Sequence, residues 1–217
     1  MIIQTNDIHE IIQCITVGGV TSEELKMYEM PADTDPDIVN NIFDYKYING
    51  KFVLKESAYS EKLEKIKQAK IDTMSQICSA EIIKGVDYNK EHYALTLDDQ
   101  TNISNLTMIA VQGNSVPYHS DGQGANCKIF TAEEFTQFSS YCQQFKIYHL
   151  TYFNQLKGYI NSLSTIEDIL AINYGTELTG KYAESLIQMT NGFQYSITVV
   201  EDKTDYSRIL NPVVIPV

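Results

Sequence analysis

The hydrophobic pattern is clearest in the middle of the chain, where apolar and aromatic residues recur at alternating steps of three and four. After Thr131 these positions are Phe135, Phe138, Cys142, Phe145, His149, Tyr152, Leu156, Tyr159 and Leu163. This spacing keeps one seam of a helix facing a partner. The pattern therefore predicts one long helix whose aromatic seam packs against another element.

Capping signals mark where helices begin in this region. Thr131-Ala-Glu-Glu134 is a capping box, and Ser164-Thr-Ile-Glu167 repeats the arrangement at the start of a predicted short helix. Upstream, Tyr93–Leu97 predicts a strand. An acidic turn follows at Asp98–Asn102, where an Asp would cap a helix from Gln100 to Ala110.

A second helix is predicted from Ser57 to Ala80. Its apolar positions wander between registers, which is more typical of packing inside a globular domain than of a long coiled coil. We expect this helix, or its copy in a symmetry mate, to pack against the aromatic seam.

The region before this helix is predicted to form a small β-rich module. Short apolar strands are predicted at Ile11–Val17 and Leu25–Met30. Within Tyr45–Leu54, Asn49-Gly50 separates two alternating segments and predicts a hairpin with a two-residue turn.

The remainder of the chain predicts a helix at Glu177–Met189, a strand at Phe193–Val200 and an extended apolar segment at 203–217. Together these elements indicate an α+β fold. We predict three segments: a β-rich attachment module (1–55), a helix-rich domain (56–175), and a C-terminal helix, strand and docking tail (176–217).

Charge and composition narrow the possible partners. The 217 residues carry a net charge of −12, which argues against nucleic acid because phosphate binding needs clustered Lys and Arg. No apolar run reaches the roughly 20 residues that a membrane-spanning helix needs, and no signal peptide is expected. The four cysteines form no CxxC pair, so we expect reduced packing residues in a cytoplasmic setting.

Two polar clusters are candidates for a chemical site. His119, Asp121 and Cys127 are conceivable metal ligands or a hydrolytic pair, but their spacing fits no known motif and favours a turn at Asp121-Gly122. Asp98 and Asp99 lack the ligand spacing of a calcium loop, which favours a helix start.

Cys142 and His149 lie roughly 10 Å apart along one helix, which is too far for them to bind the same metal ion. We interpret His149 as a hydrogen-bonded core residue. The sequence thus predicts no catalytic, cofactor-binding or metal-binding residue.

Several stretches of residues 65–174 carry a family resemblance. They are Ile82-Ile-Lys-Gly85, Tyr93-Ala-Leu-Thr-Leu-Asp-Asp-Gln-Thr-Asn102, Val116-Pro-Tyr-His-Ser-Asp-Gly122 and Phe130-Thr-Ala-Glu-Glu-Phe135. This block resembles a domain family of unknown function that recurs in bacteriophage tail, tail-fibre and tail-fibre-assembly proteins. Relatives often carry Trp where this chain has Tyr118, which keeps an aromatic anchor.

The resemblance implies a structural, non-enzymatic subunit of a phage tail or phage-like particle. It would lie at the baseplate or tail tip and carry fibres or receptor-binding proteins. We expect it to be made in the host cytoplasm, to form a homo-oligomer with other tail proteins, and to need no cofactor. The expected interaction residues are Phe135, Phe138, Phe145, Tyr152, Tyr159, Ile209, Leu210, Val213, Val214 and Ile215.

Two alternatives remain open. The first is a tail-fibre assembly chaperone that does not stay in the virion, and the second is a phage-encoded hydrolase. Mass spectrometry of purified particles separates a retained subunit from a chaperone. A hydrolase would need a pocket with convergent titratable groups.

Overall fold

A computed structural model describes residues 1–19, 21–121 and 126–210. The fold is α+β, with about 49% helix and 18% strand. The chain forms two compact units, one from residues 1–68 with the described residues after 203, and the other from residues 69–203. Because helix α2 (Glu56–Lys84) crosses residue 68, it contributes to both units.

The first unit contains two small antiparallel sheets. In one, β1 (Ile2–Thr5) lies between β2 (Ile11–Ile15) and β3 (Lys26–Glu29). The other is the hairpin of β4 (Tyr45–Ile48) and β5 (Lys51–Leu54). Its turn residues Asn49 and Gly50 have φ of 49° and 79°, as the two-residue turn requires, so this hairpin prediction is confirmed.

Three short helical elements also belong to the described part of this unit. Helix α1 (Pro36–Asn40) begins after Asp35, whose side chain accepts from the Asp37 amide, and a 3-10 helix follows at Ile42–Asp44. Near the end of the described chain lies α7 (Ser207–Leu210). Residues 203–210 are therefore not fully extended as predicted, because Ser207–Leu210 are helical.

The second unit is built around the predicted long helix, α4 (Ala132–Ser162). Two hairpins precede it, β6 (Val86–Tyr88) with β7 (Glu91–Tyr93), and β8 (Val116–Tyr118) with β9 (Lys128–Phe130). Helix α3 (Leu97–Ala110) lies between them, and α5 (Ile166–Leu170) and α6 (Lys181–Met189) follow α4.

The start of α4 matches the predicted capping box. The Thr131 hydroxyl accepts from the Glu134 amide at 3.2 Å, and the Glu134 carboxylate accepts from the Thr131 amide at 2.9 Å. Each group satisfies a backbone donor that the first turn leaves unpaired. The second box is displaced by one residue, because Thr165 rather than Ser164 accepts from the amide of Asp168.

The prediction that the helix predicted at Ser57–Ala80 packs against the aromatic seam was wrong in detail. α4 packs most extensively along α3 and α6. α2 meets it at Cys78, whose thiol lies 3.5 Å from the His149 carbonyl oxygen. The three–four spacing specifies a buried face but does not specify which elements cover it, and here short elements nearby in the chain cover much of it.

The predicted strand at Tyr93–Leu97 and acidic turn at 98–102 were also wrong. The strand ends at Tyr93 and α3 begins at Leu97, because Thr96 caps it. The Thr96 hydroxyl accepts from the Asp99 amide, and the Asp99 carboxylate accepts from the Thr96 amide at 3.1 Å. Asp98 and Asp99 thus lie in the first helical turn, where negative charge is favourable.

Two predictions after α5 need correction. Helix α6 begins at Lys181 rather than at Glu177, because Gly180 has a positive φ of 56° and stands at its N-cap. No strand forms over Phe193–Val200. Only Val200 pairs there, in a single bridge to Tyr174.

Candidate functional site

The aromatic seam of α4 forms the core of the second unit. Phe138 is fully buried, and five aromatic rings have their centroids 4.6–5.9 Å from its own. They belong to Tyr88, Tyr93, Tyr118, Phe130 and Phe135. Such ring pairs stabilise a core beyond their buried area alone. The predicted interaction residues Phe135 and Phe138 therefore contact this chain itself.

The rest of the seam is also covered. Phe145 and Tyr152 are 2% and 4% exposed. The Tyr152 hydroxyl donates to the Thr176 carbonyl at 2.8 Å and accepts from the Gly175 amide at 2.9 Å. Tyr159 is half-buried, with its ring centroid 5.7 Å from that of Tyr182 in α6.

The remaining predicted interaction residues lie at the C-terminal end. Ile209 and Leu210 are half-buried in α7. Val213, Val214 and Ile215 lie outside the described residues.

Asp121 connects the loop after β8 to the end of the β6–β7 hairpin. Its backbone amide donates to the His92 carbonyl at 2.9 Å, and its carboxylate accepts from the Ala94 amide. His92 is also fixed, with Nδ1 2.8 Å from the Asp87 carboxylate and Nε2 2.7 Å from the Lys84 carbonyl. The hydrogen bond with Asp87 raises the pKa of His92. The side chain of Asp121 thus attaches the loop after β8 to the backbone of Ala94.

The other members of this candidate cluster do not converge with Asp121. His119 stacks on Tyr118, with ring centroids 5.7 Å apart, and its Nδ1 lies 3.1 Å from the Ser120 carbonyl oxygen. Cys127 is exposed and has a free thiol. Within residues 1–19, 21–121 and 126–210, no three His, Cys, Asp or Glu side chains gather as a metal site would require.

Gln100 joins α3 to its flanking loop and to α4. Its side-chain nitrogen donates to the Leu95 carbonyl at 2.7 Å, and its oxygen accepts from Lys146 Nζ at 2.6 Å. With the Thr96–Asp99 cap, this contact fixes both the start and the position of the helix. Thr96, Asp99 and Gln100 together thus hold α3 in place.

His149 is a buried, hydrogen-bonded core residue, which confirms its interpretation from the sequence. It is 2% exposed, and Nδ1 lies 2.9 Å from the Tyr174 hydroxyl oxygen. Nε2 has no hydrogen-bond partner among the described residues. Burial lowers the pKa of His149 to about 4, so the ring is neutral at pH 7. Burial also raises the pKa of the Cys142 thiol to about 12, which makes it an inert packing group.

A buried ion pair was missed at the sequence level. Lys70 Nζ lies 2.5 Å from Asp202 Oδ2 and also donates to the carbonyls of Leu170 and Ile172, at 3.2 and 2.9 Å. The two hydrogen bonds from Lys70 to backbone carbonyls anchor the chain after α5. The ion pair with Asp202 anchors the chain after Val200. The only sequence signal was that Lys70 interrupts the apolar stripe of α2.

A cleft of about 550 Å³ opens on the second unit. Aromatic and aliphatic side chains dominate its lining, among them Tyr148, Tyr152, Leu186, Ile187, Phe193 and Tyr195. Its size is that of a site for a small molecule or a short peptide. The glutamate Glu177 is its one ionisable lining residue besides the tyrosines.

Comparison of the whole chain with protein-family models, with curated proteins and with solved structures gave no match. Among the helices described, none combines the length and the apolar character that crossing a membrane would require.

Proposed function

We propose that this chain is a structural subunit of a bacteriophage tail or phage-like particle, placed at the baseplate or tail tip. It would connect fibres or receptor-binding proteins to the tail by burying surface against them. Several copies are expected, because symmetric assemblies reuse one interface.

The observation that carries the proposal is the use of the residues that resemble the phage-tail family. Asp99 caps α3, Gln100 bridges to Lys146, and Asp121 connects two loops. Tyr118 belongs to the aromatic core around Phe138. Asp99, Gln100, Asp121 and Tyr118 are thus engaged in holding the fold, which supports a rigid assembly part more than a catalytic one.

The surface of α3 supports a role in assembly. Met108 in α3 and Val111 at its C-cap are 59% and 66% exposed, and because they lie three residues apart they share one side of the helix end. Exposed apolar residues that line up along an element are typical of surfaces that bind other proteins.

The test is quantitative mass spectrometry of purified particles from a host infected with a phage that encodes this chain. The proposal expects the chain at a fixed ratio to the major tail proteins. If the chain is missing from particles but co-purifies with free fibres, the proposal is wrong and the assembly-chaperone alternative holds.

A second experiment addresses the surface of α3. Met108→Asp with Val111→Asp should lower incorporation into particles while leaving the circular dichroism spectrum unchanged. The matched control is Ile129→Asp, an equally exposed apolar residue on β9 at 71% exposure. Equal incorporation of both variants would exclude this side of α3 as an attachment surface.

A further inference from the structure

The segment after α6 has the side-chain pattern of a strand but lacks a partner strand. Phe193, Tyr195 and Ile197 are half-buried, whereas Gln194, Ser196 and Thr198 are exposed. This two-residue alternation is that of an extended chain with one face against the protein. The inward face packs on α4, where the Tyr195 ring centroid lies 4.9 Å from that of Phe145.

The backbone of this segment has few hydrogen bonds. The Val200 amide donates to the Tyr174 carbonyl at 2.8 Å. The Tyr195 amide hydrogen-bonds the Tyr148 hydroxyl. Over residues 194 and 196–199, no backbone group pairs with another described backbone group. Such an edge is a template for an added strand.

The cleft lies beside this edge. Residues 193–197 and residues 175–178 both line it, as do Ala183, Leu186 and Ile187 of α6. The two chain segments meet at the Tyr174–Val200 bridge. Gln194 and Ser196 both line the cleft, and because residues two apart in an extended chain direct their backbone groups to the same side, their backbone groups share one side. A strand entering the cleft would meet unpaired amides and carbonyls along one side and apolar side chains below.

We infer that this cleft binds residues 211–217 of a second copy of the chain as an added strand. The segment reads Asn-Pro-Val-Val-Ile-Pro-Val. Its three β-branched residues, Val213, Val214 and Ile215, favour a strand and have amides to pair, whereas the flanking prolines have none. A strand of three residues spans about 10 Å, the length of the short strands β6 to β9.

This inference rests on the proposed function, because it names the contact by which copies of the proposed tail subunit would assemble. Apolar side chains at alternate positions, Val213 and Ile215, match the apolar lining of the cleft. Backbone pairing supplies affinity, and the pockets for alternate side chains supply specificity. An exchanged segment between identical copies is a recognised route to symmetric oligomers.

The first experiment measures self-association by sedimentation velocity. The full chain should associate with increasing concentration, and a chain ending at Leu210 should remain monomeric. A full chain that stays monomeric at all concentrations, or a shortened chain that still associates to the same extent, would overturn the inference. Neither measurement requires phage particles, so it can fail while the tail assignment stands, and the reverse also holds.

The second experiment measures binding of a fluorescent peptide with the sequence of residues 209–217 to the chain ending at Leu210. Ser196→Pro removes one edge amide and should weaken binding at least about tenfold, whereas Ser196→Ala keeps that amide and should leave binding within about twofold. Ser196 is exposed, and its amide pairs with no described backbone group, so the native fold does not depend on it. Equal affinities for the two variants would contradict strand addition.

A second pair of variants keeps the test decisive if Ser196→Pro unfolds the protein. Ile187 lines the cleft and is 52% exposed, whereas Met189 on the same helix is 60% exposed and is not part of the lining. Ile187→Glu should weaken peptide binding at least about tenfold, and Met189→Glu should not. Equal effects of the two substitutions would place the peptide elsewhere and overturn the inference.

Discussion

The ammonium nitrogen of Lys70 lies 2.5 Å from a carboxylate oxygen of Asp202, and each side chain is 1% exposed. Lys70 also donates to two backbone carbonyls, so its protons have partners. The Asp202 amide in turn donates to the Asn173 side chain at 2.8 Å. The pair therefore fixes α2 to the segments after α5 and after Val200 within the second unit.

Removing one member of this pair should be strongly destabilising. Asp202→Ala leaves a charged lysine in a dry site, and losses of about 3–5 kcal/mol are typical when one partner of a buried pair is removed. Urea unfolding followed by circular dichroism measures the change. The double variant Lys70→Met with Asp202→Leu removes both charges and should recover much of the loss.

The exposed pair Lys65–Glu61 provides the control for the buried pair. Its atoms lie 2.6 Å apart, but the side chains are 61% and 68% exposed. Lys65→Ala should leave the unfolding midpoint nearly unchanged, because water screens exposed ion pairs. A loss for Asp202→Ala no larger than that for Lys65→Ala would show that the buried pair does not stabilise the fold.

The aromatic core makes a second prediction. Phe138→Ala removes the ring around which five others gather, and truncation of a buried phenylalanine costs about 3–5 kcal/mol. The same change at Phe43, which is 55% exposed, should cost far less. Near-ultraviolet circular dichroism and urea unfolding would check both. Similar losses for the two variants would contradict the central role of Phe138.

Local signals in the sequence predicted local structure. Asn49-Gly50 specified a hairpin, and Thr131 with Glu134 specified a helix start, because each depends on residues within a few positions. Lys70 and Asp202 are 132 positions apart, so no local pattern connects them. Residues 193–200 were predicted to form a strand, but a strand also needs a partner edge, and a local pattern of side chains does not specify one.

The placement of the aromatic seam illustrates the same limit. Its spacing predicted a buried face on α4, and Phe135, Phe138, Phe145 and Tyr152 are buried there. Which elements cover that face depends on where the chain turns between β6 and β9. These turns rest on polar contacts such as that of Asp121 with Ala94, which join residues 27 positions apart.

Gly85 provides a prediction about the turn that ends α2. It has a φ of 93°, and a Cβ atom there would lie 1.9 Å from the Tyr93 carbonyl oxygen. Gly113 has a similar φ of 87° with open space around it. Gly113→Ala should cost about 1–2 kcal/mol for the left-handed backbone alone. Gly85→Ala should cost about 1–3 kcal/mol more, because the backbone must also move.

The comparison between the two glycines separates conformational strain from crowding. Urea unfolding of both alanine variants measures it directly. Equal losses would mean that the β7 backbone moves away from the new methyl group at no cost.

The last prediction concerns pH and His149. Burial lowers the folded-state pKa of His149 to about 4, whereas an unfolded histidine titrates near 6.5. Below pH 6.5 the unfolded chain therefore binds a proton that the folded chain does not, and stability falls as the pH is lowered towards 4. The full difference is about 3 kcal/mol, of which about 2 kcal/mol should be lost by pH 5.

His149→Gln should flatten this part of the stability profile, since glutamine does not titrate. His92 gives the opposite control, because Asp87 raises its pKa. Its stabilisation is complete below the unfolded pKa and is lost as the pH rises through the folded value, so His92→Gln should reduce stability in mild acid. Urea unfolding between pH 5 and 8 checks both slopes. A wild-type loss between pH 6.5 and 5 that persists in His149→Gln would mean that another group binds the proton, and that the neutral ring of His149 is not what acid disrupts.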